Sequence, residues 1–443
     1  MLRLLLAVAI VLLPNAMHVA IESPIPGVNF SNLLLLVLLG ALVISSKDPT
    51  PAVDRMGYLT PPLLVLFLAL TWGFFVATFD GTSDTMADLG NLKNAIFYPL
   101  FYFVYRRCRM DLQGTRQLIM LVLLVAVAAG IEAIAQGLSF GVGQFVDTQR
   151  ASGPFGDLTM ANRAGAFYAM FLPMLAAIAV VFERKAVRVT ALIGCVLLAT
   201  AILFTYSRQA YLIALVGMLV LLMHRSILAA LLAGMLLLAS VTLFPESVVE
   251  RVQQTRQVSA AGTTGVDPST GRRVEIWGGA IEMWRENPAG VGLGRFSSNI
   301  GEYSPHPGRD AHNAFILVLA EVGPLGLAAM LWLLWRLWRL ALRIRRSAAA
   351  IDVETRALAL GFKVAVLSMA LSNVFGSAFF HGLIMANFWV LCGLLERYAA
   401  LKAQAAGNDL SQEAPVRPMR LADRFPLAAR AWPGAVPRGP AAR

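Results

Sequence analysis

The sequence predicts an all-α, polytopic integral membrane protein of about twelve transmembrane helices, with one large, partly helical outside loop before the last three spans. Three observations predict it. Hydrophobic residues are 58% of the 443 and charged residues 14%, against about a quarter charged in soluble domains. Apolar runs long enough to span a bilayer recur at 4–21, 30–46, 59–79, 89–105, 116–138, 162–182, 187–205, 208–223, 226–244, 313–336, 357–378 and 380–398. Between the ninth and tenth lies a polar stretch, Pro245 to Ala311, the only long one outside the spans before the tail. The expected organisation is therefore 1–244 (nine spans), 245–311 (outside loop), 312–398 (three spans) and 399–443, a basic, Pro/Ala-rich tail with the composition of a disordered segment.

The first run follows Arg3 as a signal peptide would, but no small-x-small cleavage site precedes Glu22 and eleven runs follow, so it reads as a span. The fourth run is the weakest, because Asn91, Lys93 and Asn94 interrupt its start. Twelve spans put both termini on one side, and the positive-inside rule makes that side cytoplasmic: 25 of the 37 basic residues then fall in inside segments. Only Arg150, Arg163 and Arg208 sit in short outside loops. The seven arginines of the long loop are exempt, since loops beyond about 60 residues translocate regardless of charge. The net charge of +11 is thus a topological signal and no nucleic-acid partner is expected. None of Cys108, Cys195 and Cys392 lies in the long loop, so no disulfide framework is implied.

Spans one to five read as scaffold. The loop DGTSDTMAD carries Asp80, Asp84 and Asp88, and spaced acids on a short loop are ordinarily solvated, so no metal site is expected. Glu132 inside span five is expected to face the bundle interior, as a paired structural group or a functional one. Before span six, the glycines and proline of RASGPFGDLTMANRAGAF make an irregular segment, tolerated at membrane depth where it lines a cavity. Arg150 and Arg163 are then cavity residues, or arginines snorkelling at a helix end. Spans seven and eight meet at TYSRQAYL with almost no loop, which holds Arg208 at the outer interface, where a guanidinium calls for an anionic partner.

The long loop has three parts. Val248, Val249 and Val252 share a helical face, a flexible SAAGTTGVDPSTG follows, and then RRVEIWGGAIEMWREN sets Ile276, Trp277, Ala280, Ile281 and Trp284 in one stripe that stops at Asn287-Pro288. Such a stripe predicts a helix lying in the membrane interface, with Arg272 and Arg273 at an N-terminus that favours anions. AGVGLGRF lacks a preceding strand and a following Lys-Ser/Thr, so Gly290, Gly292 and Gly294 read as turns for close packing. The next helix opens at His312-Asn313. It ends in Trp332, Trp335 and Trp338 interleaved with Arg336, Arg339, Arg343, Arg345 and Arg346, an aromatic belt with a positive flank. His312 to Trp335 spans roughly 34 Å at about 1.5 Å per residue, one bilayer core, which puts His312 at the outer face. A lone His at a helix start is ordinarily a cap or interface residue. Arg208 and Arg273 change its meaning, because guanidinium forks match phosphate oxygens and a neutral imidazole accepts a proton, a combination suited to a pyrophosphate leaving group. Glu321, about two and a half turns further on, suits a structural hydrogen bond; His381 is a weaker candidate and His306 carries no spacing signal.

The run HN-AFILVLAEV-GPLG, the preceding GRRVEIWGGAIEMWRENPAGVGLGRF, the TYSRQAYL corner and RASGPFGDLTMANRAGAF together resemble the O-antigen ligase and polymerase superfamily of bacterial glycosyltransferases, in motif detail over about 150–330. The resemblance implies transfer of a glycan from undecaprenyl diphosphate on the periplasmic face of the inner membrane, with membrane lipid as surroundings, no cofactor and no metal. It implies His312 as general base, with Asn313 beside it, and Arg208 with Arg273 (or Arg272) binding the diphosphate; Arg150, Arg163, Glu321 and His381 are supporting residues. Arginines can stand in for the usual divalent cation on a diphosphate leaving group, and the acceptor hydroxyl needs a base in hydrogen-bond reach. No large C-terminal outside region of the protein O-oligosaccharyltransferase kind follows span twelve. A ligase using the lipid A core as acceptor is therefore the first expectation and a polymerase of the same superfamily the second. A solute transporter is a third, against which stands the lack of a hydropathy repeat between the halves.

Overall fold

The computed structural model describes residues 2–19, 29–44, 56–79, 85–141, 146, 148–224, 226–239, 248–249, 256–258, 264–266, 268–348 and 352–407. Among them the chain forms α1 (Leu2–Leu12), α2 (Phe30–Ile44), α3 (Thr60–Phe79), α4 (Thr85–Phe97), α5 (Leu100–Arg107), α6 (Leu112–Phe140), α7 (Ala161–Val181), α8 (Lys185–Phe204), α9 (Arg208–Met223) and α10 (Ile227–Ala239), then α11 (Pro268–Glu286), α12 (Phe296–Tyr303), α13 (Ala314–Arg346), α14 (Val353–Val374) and α15 (Gly382–Ala406). Seven of these, α3, α6, α7 (from Leu158), α8, α13, α14 and α15, are long and apolar enough to cross a membrane; α1, α2 and α9 are shorter apolar helices. The chain is thus a helical, polytopic membrane protein.

The fourth expected span is not one helix. Pro99, which lacks an N–H and disfavours helix at the residue before it, separates α4 from α5, and neither piece is long enough to cross. In the long loop, only 248–249 of the first expected helical face is described, and Arg256–Val258 pairs antiparallel with Thr264–Val266, a small ribbon in an otherwise helical fold. Asp80, Asp84 and the tail from 408 lie outside the described residues.

Helices α7 and α15 form the centre, walled by neighbours on nearly every side. The peripheral α8 buries Leu198, Ala201 and Ile202 while exposing Val189, Leu192, Ile193 and Val196. That one-sided apolar exposure is what contact with hydrocarbon allows and water does not. Glu132 of α6 is a paired group: its Oε1 lies 3.0 Å from His18 Nε2.

At one end of the bundle a buried polar network joins three helices and the turn before α3. Glu396 accepts from Arg106 Nε at 2.7 Å, from the Tyr102 hydroxyl at 2.7 Å and from the Tyr58 amide at 2.6 Å. Arg336 of α13 caps the Tyr58 carbonyl and stacks over its ring at 3.6 Å. The arginines predicted as a positive flank therefore also hold α13 against the start of α3. Helices α7, α9, α13 and α14 each run from this end to the opposite one, where Asn162, Arg208, His312 and Gly376 stand.

Candidate functional site

The opposite end is assembled by turns that fix one another. Arg208 opens α9 directly after Ser207, whose side chain caps it by accepting from the Ala210 amide, and Tyr206 before it is left-handed (φ 47°). This sharp corner explains how two apolar helices meet with no loop. Its second residue, Gln209, donates to the Asn162 carbonyl at the start of α7. Arg150 donates to the Thr205 carbonyl at 3.0 Å and to Asn162 Oδ1 at 2.6 Å, so it laces the irregular 150–156 segment to the same corner. Gln136 of α6 holds that segment from beneath, accepting from the Ser152 and Gly153 amides.

His312 sits in a turn held on three sides. Its own backbone is left-handed (φ 48°), a conformation a non-glycine residue adopts only where its surroundings enforce it. Before it, the Ala311 carbonyl accepts the indole N–H of Trp277 at 2.8 Å. After it, Asn313 is the N-cap of α13, its side chain accepting from Phe315 and Ile316. The Ala314 amide donates to the Gly376 carbonyl beyond α14 at 3.0 Å, and Gly376 packs against Gln209 of the Arg208 corner.

Arg273 reaches the site through α11. It lies four residues before Trp277, on the same helical face, one turn of α11 from the side chain that bonds Ala311, and its charge acts on the His312 ring. Helix α11 starts at Pro268, which puts Arg272 and Arg273 on its second turn and not at its N-terminus as the sequence predicts; Arg272 is exposed and Arg273 half-buried. The apolar stripe of α11 is in part covered by protein, with Ile281 and Trp284 left half-exposed. Ile276, Ala280 and Met283 are buried against Phe296, Ile300, Ala311 and Ala320. His306 docks on the outer side of the same helix, 2.6 Å from Glu275.

The charges around the imidazole are mixed. Asp310 Oδ2 lies 3.7 Å from His312 Nδ1, and the His312 side chain is 47% exposed, so the ring is open on one side. Burial holds the His312 pKa below its ordinary value; Asp310 opposes this, while Arg273, Arg163 and Arg309 add to it. The ring is therefore neutral near pH 7, and Arg273, Arg163 and Arg309 each disfavour a second proton on it. His381, N-cap of α15, is pushed down to about 4, first by burial and then by Arg163, with Asp310 opposing.

Glu321 stands apart. It is buried beside a break in α13, where Gly323 is left-handed (φ 78°) and Pro324 follows. Its carboxylate accepts from the Phe296 amide at 3.1 Å, and the carbonyls of Ala320 and Glu321 accept from Val291 and Gly292. Glu321 fastens the glycine turn to α13, and Asp310 of the His312 cluster acts on it through its charge. The turn is a packing device as predicted: Gly292 (φ 100°) is so close to Ala77 that a Cβ there would lie 2.6 Å from its Cα. Asp88, from the acidic loop, pairs with Arg295 at 2.9 Å. Among the described residues no group of three His, Cys, Asp or Glu side chains could hold a metal.

Three members of the site, Arg309, Asp310 and Ser377, escape the sequence reading. Asp310 stands in plain view at Gly308-Arg309-Asp310-Ala311-His312, where a carboxylate two residues before a candidate base is a usable signal. Ser377 carries none, because its partner, Asp310, is 67 positions away. Residues 193–331 match the family model described as O-antigen ligase. Over this stretch the chain is similar to the O-antigen ligase family. The matched stretch of the ligase family contains the Arg208 corner, both α11 arginines, Asp310, His312, Asn313 and Glu321, while Arg150, Arg163, Ser377 and His381 come from outside it. No curated protein matches the chain. The match supports a glycosyltransferase-like enzyme of O-antigen synthesis working on lipid-linked glycans in a membrane.

Proposed function

We propose that the protein is a ligase that moves a glycan from undecaprenyl diphosphate to a hydroxyl of the lipid A core, at the periplasmic face of the bacterial inner membrane. The observation that carries this reading is a half-open, neutral imidazole at His312 with Arg163, Arg273 and Arg309 acting on it, in a stretch that matches the O-antigen ligase family. The neutral ring takes the proton of the acceptor hydroxyl as that oxygen bonds to the anomeric carbon. The bond from that carbon to the diphosphate oxygen breaks, and its electron pair leaves with the diphosphate. Guanidinium groups at Arg208 and Arg273 offset the developing charge. The arginine-rich end of α13 at the other side of the bundle supports a cytoplasmic placement for that end and a periplasmic one for His312.

The test is reconstitution in lipid with an undecaprenyl-diphosphate glycan and lipid A core, in chelator. Transfer onto the core that is lost in His312→Gln and Arg208→Ala supports the ligase. Lengthening of the glycan on its own carrier would make it a polymerase, and transfer retained in His312→Gln would remove the base.

A further inference from the structure

Asp310 is the carboxylate that acts on His312, Arg163 and His381 alike. Its Oδ2 faces the Nδ1 edge of the His312 ring at 3.7 Å, and the same oxygen accepts the Ser377 hydroxyl at 2.9 Å. Ser377 belongs to the connection between α14 and α15, directly after Gly376, whose carbonyl takes the Ala314 amide. Asp310 is thus held from across the bundle while the imidazole beside it lies on a backbone turn that its neighbours enforce. We infer that Asp310 is a positioning residue for His312: fixed by Ser377, it draws the Nδ1–H toward itself and so presents the Nε2 lone pair to the acceptor hydroxyl.

The physical reason is the choice between tautomers. A neutral imidazole has one N–H, and the nitrogen without it is the base; a carboxylate on the Nδ1 side favours the proton there. At 3.7 Å the contact is within ion-pair reach but too long for a hydrogen bond, and contacts of this kind tighten when substrate is bound. The charged groups acting on the ring are Arg163 from α7, Arg273 from α11, Arg309 and Asp310 from the preceding turn; His381 from the start of α15 adjoins Asp310. All the cations disfavour a second proton on the ring. Asp310 is the counterweight that keeps the imidazole basic enough to take the proton during transfer.

This inference rests on the ligase reading, and its test separates the two. The full chain in lipid nanodiscs, labelled with 15N-histidine, is compared with Asp310→Asn, Asp310→Glu, Ser377→Ala and His312→Gln, the last assigning the His312 signals. In the native chain the 15N shifts report the Nδ1–H tautomer. In Asp310→Asn the His312 pKa falls further and kcat falls by roughly 10- to 100-fold at unchanged donor KM, less than the about 10²- to 10⁴-fold of losing the base itself. Ser377→Ala moves both the same way by less, and Asp310→Glu recovers part of the rate. Unchanged tautomer, pKa and rate profile in Asp310→Asn, with His312→Gln inactive, would overturn the role of Asp310 alone. An active His312→Gln would overturn the base itself. Should Asp310→Asn fail to fold, an unshifted His312 signal in Ser377→Ala decides against the inference.

Discussion

Trp277 Nε1 donates to the carbonyl of Ala311 at 2.8 Å, so helix α11 holds the residue that directly precedes His312. The bond matters because Arg273 rides on the same helical face, one turn earlier. Trp277→Phe keeps the packing but strands the carbonyl, at a cost of about 1 kcal/mol. The expected outcome is a melting temperature lowered by a few degrees and a transfer rate reduced by roughly tenfold or more, as happens when catalytic groups are misplaced. Parallel melting and initial-rate measurements in nanodiscs check it.

The diphosphate clamp predicts an asymmetry between arginine and lysine. Arg208→Ala or Arg273→Ala is expected to lower transfer by about 10²- to 10³-fold, the scale of losing one preorganised charge partner. Lysine at either position restores charge without the planar fork and recovers only part of the rate. Equal rates for Arg273→Lys and the native chain would sink the clamp.

A pH dependence follows from the depressed His312 pKa. Below that pKa the ring carries a proton and cannot accept another, so transfer falls on the acid side, with a midpoint below the ordinary histidine value. Above it the rate is flat through neutrality. Arg273→Ala removes a cation that lowers the pKa, so what activity remains has its acid limb shifted to higher pH. His381, at about 4, contributes nothing to the profile between pH 5 and 8. Rate against pH for both proteins is the measurement.

The far end of the bundle makes a stability prediction separate from activity. Glu396→Gln leaves Arg106 buried without its counter-charge, and breaking a buried pair in this way costs about 3–5 kcal/mol. Thermal unfolding is expected to shift strongly downward, while the rate per folded molecule stays at the native value.

Gly292→Ala tests the glycine turn. The left-handed backbone penalises alanine by at least about 1 kcal/mol, and the added carbon meets the Ala77 backbone. The variant is expected to melt below the native chain, and Gly271→Ala, where nothing lies within 4 Å, is the control.

Much of this was readable in the chain because the relevant signals are local. Hydropathy found every helix from α6 to α9 and the last three, since bilayer crossing demands runs of apolar residues whatever the tertiary contacts. His312, Asn313 and the Arg208 corner were legible because each sits at a helix start, where polar residues interrupt an apolar pattern. The stripe of α11 is a stripe as read, but Ile276 and Ala280 turn out to pack on Phe296 and Ile300 while Ile281 and Trp284 stay half-exposed: the same apolar pattern suits lipid or protein, and periodicity does not say which covers it. Pro99 was a visible break that run length overrode. The partner of Asp310 was beyond reach, because a serine on a distant turn has no spacing that betrays it.

The break in α13 at Gly323 has a bearing on how the protein is put together. It opens two carbonyls, at Ala320 and Glu321, that hydrocarbon could not satisfy, and the amides that answer them come from Val291 and Gly292, ahead of that helix in the chain. The turn at 291–292 and this stretch of α13 are therefore one unit of assembly, since neither has its backbone satisfied without the other.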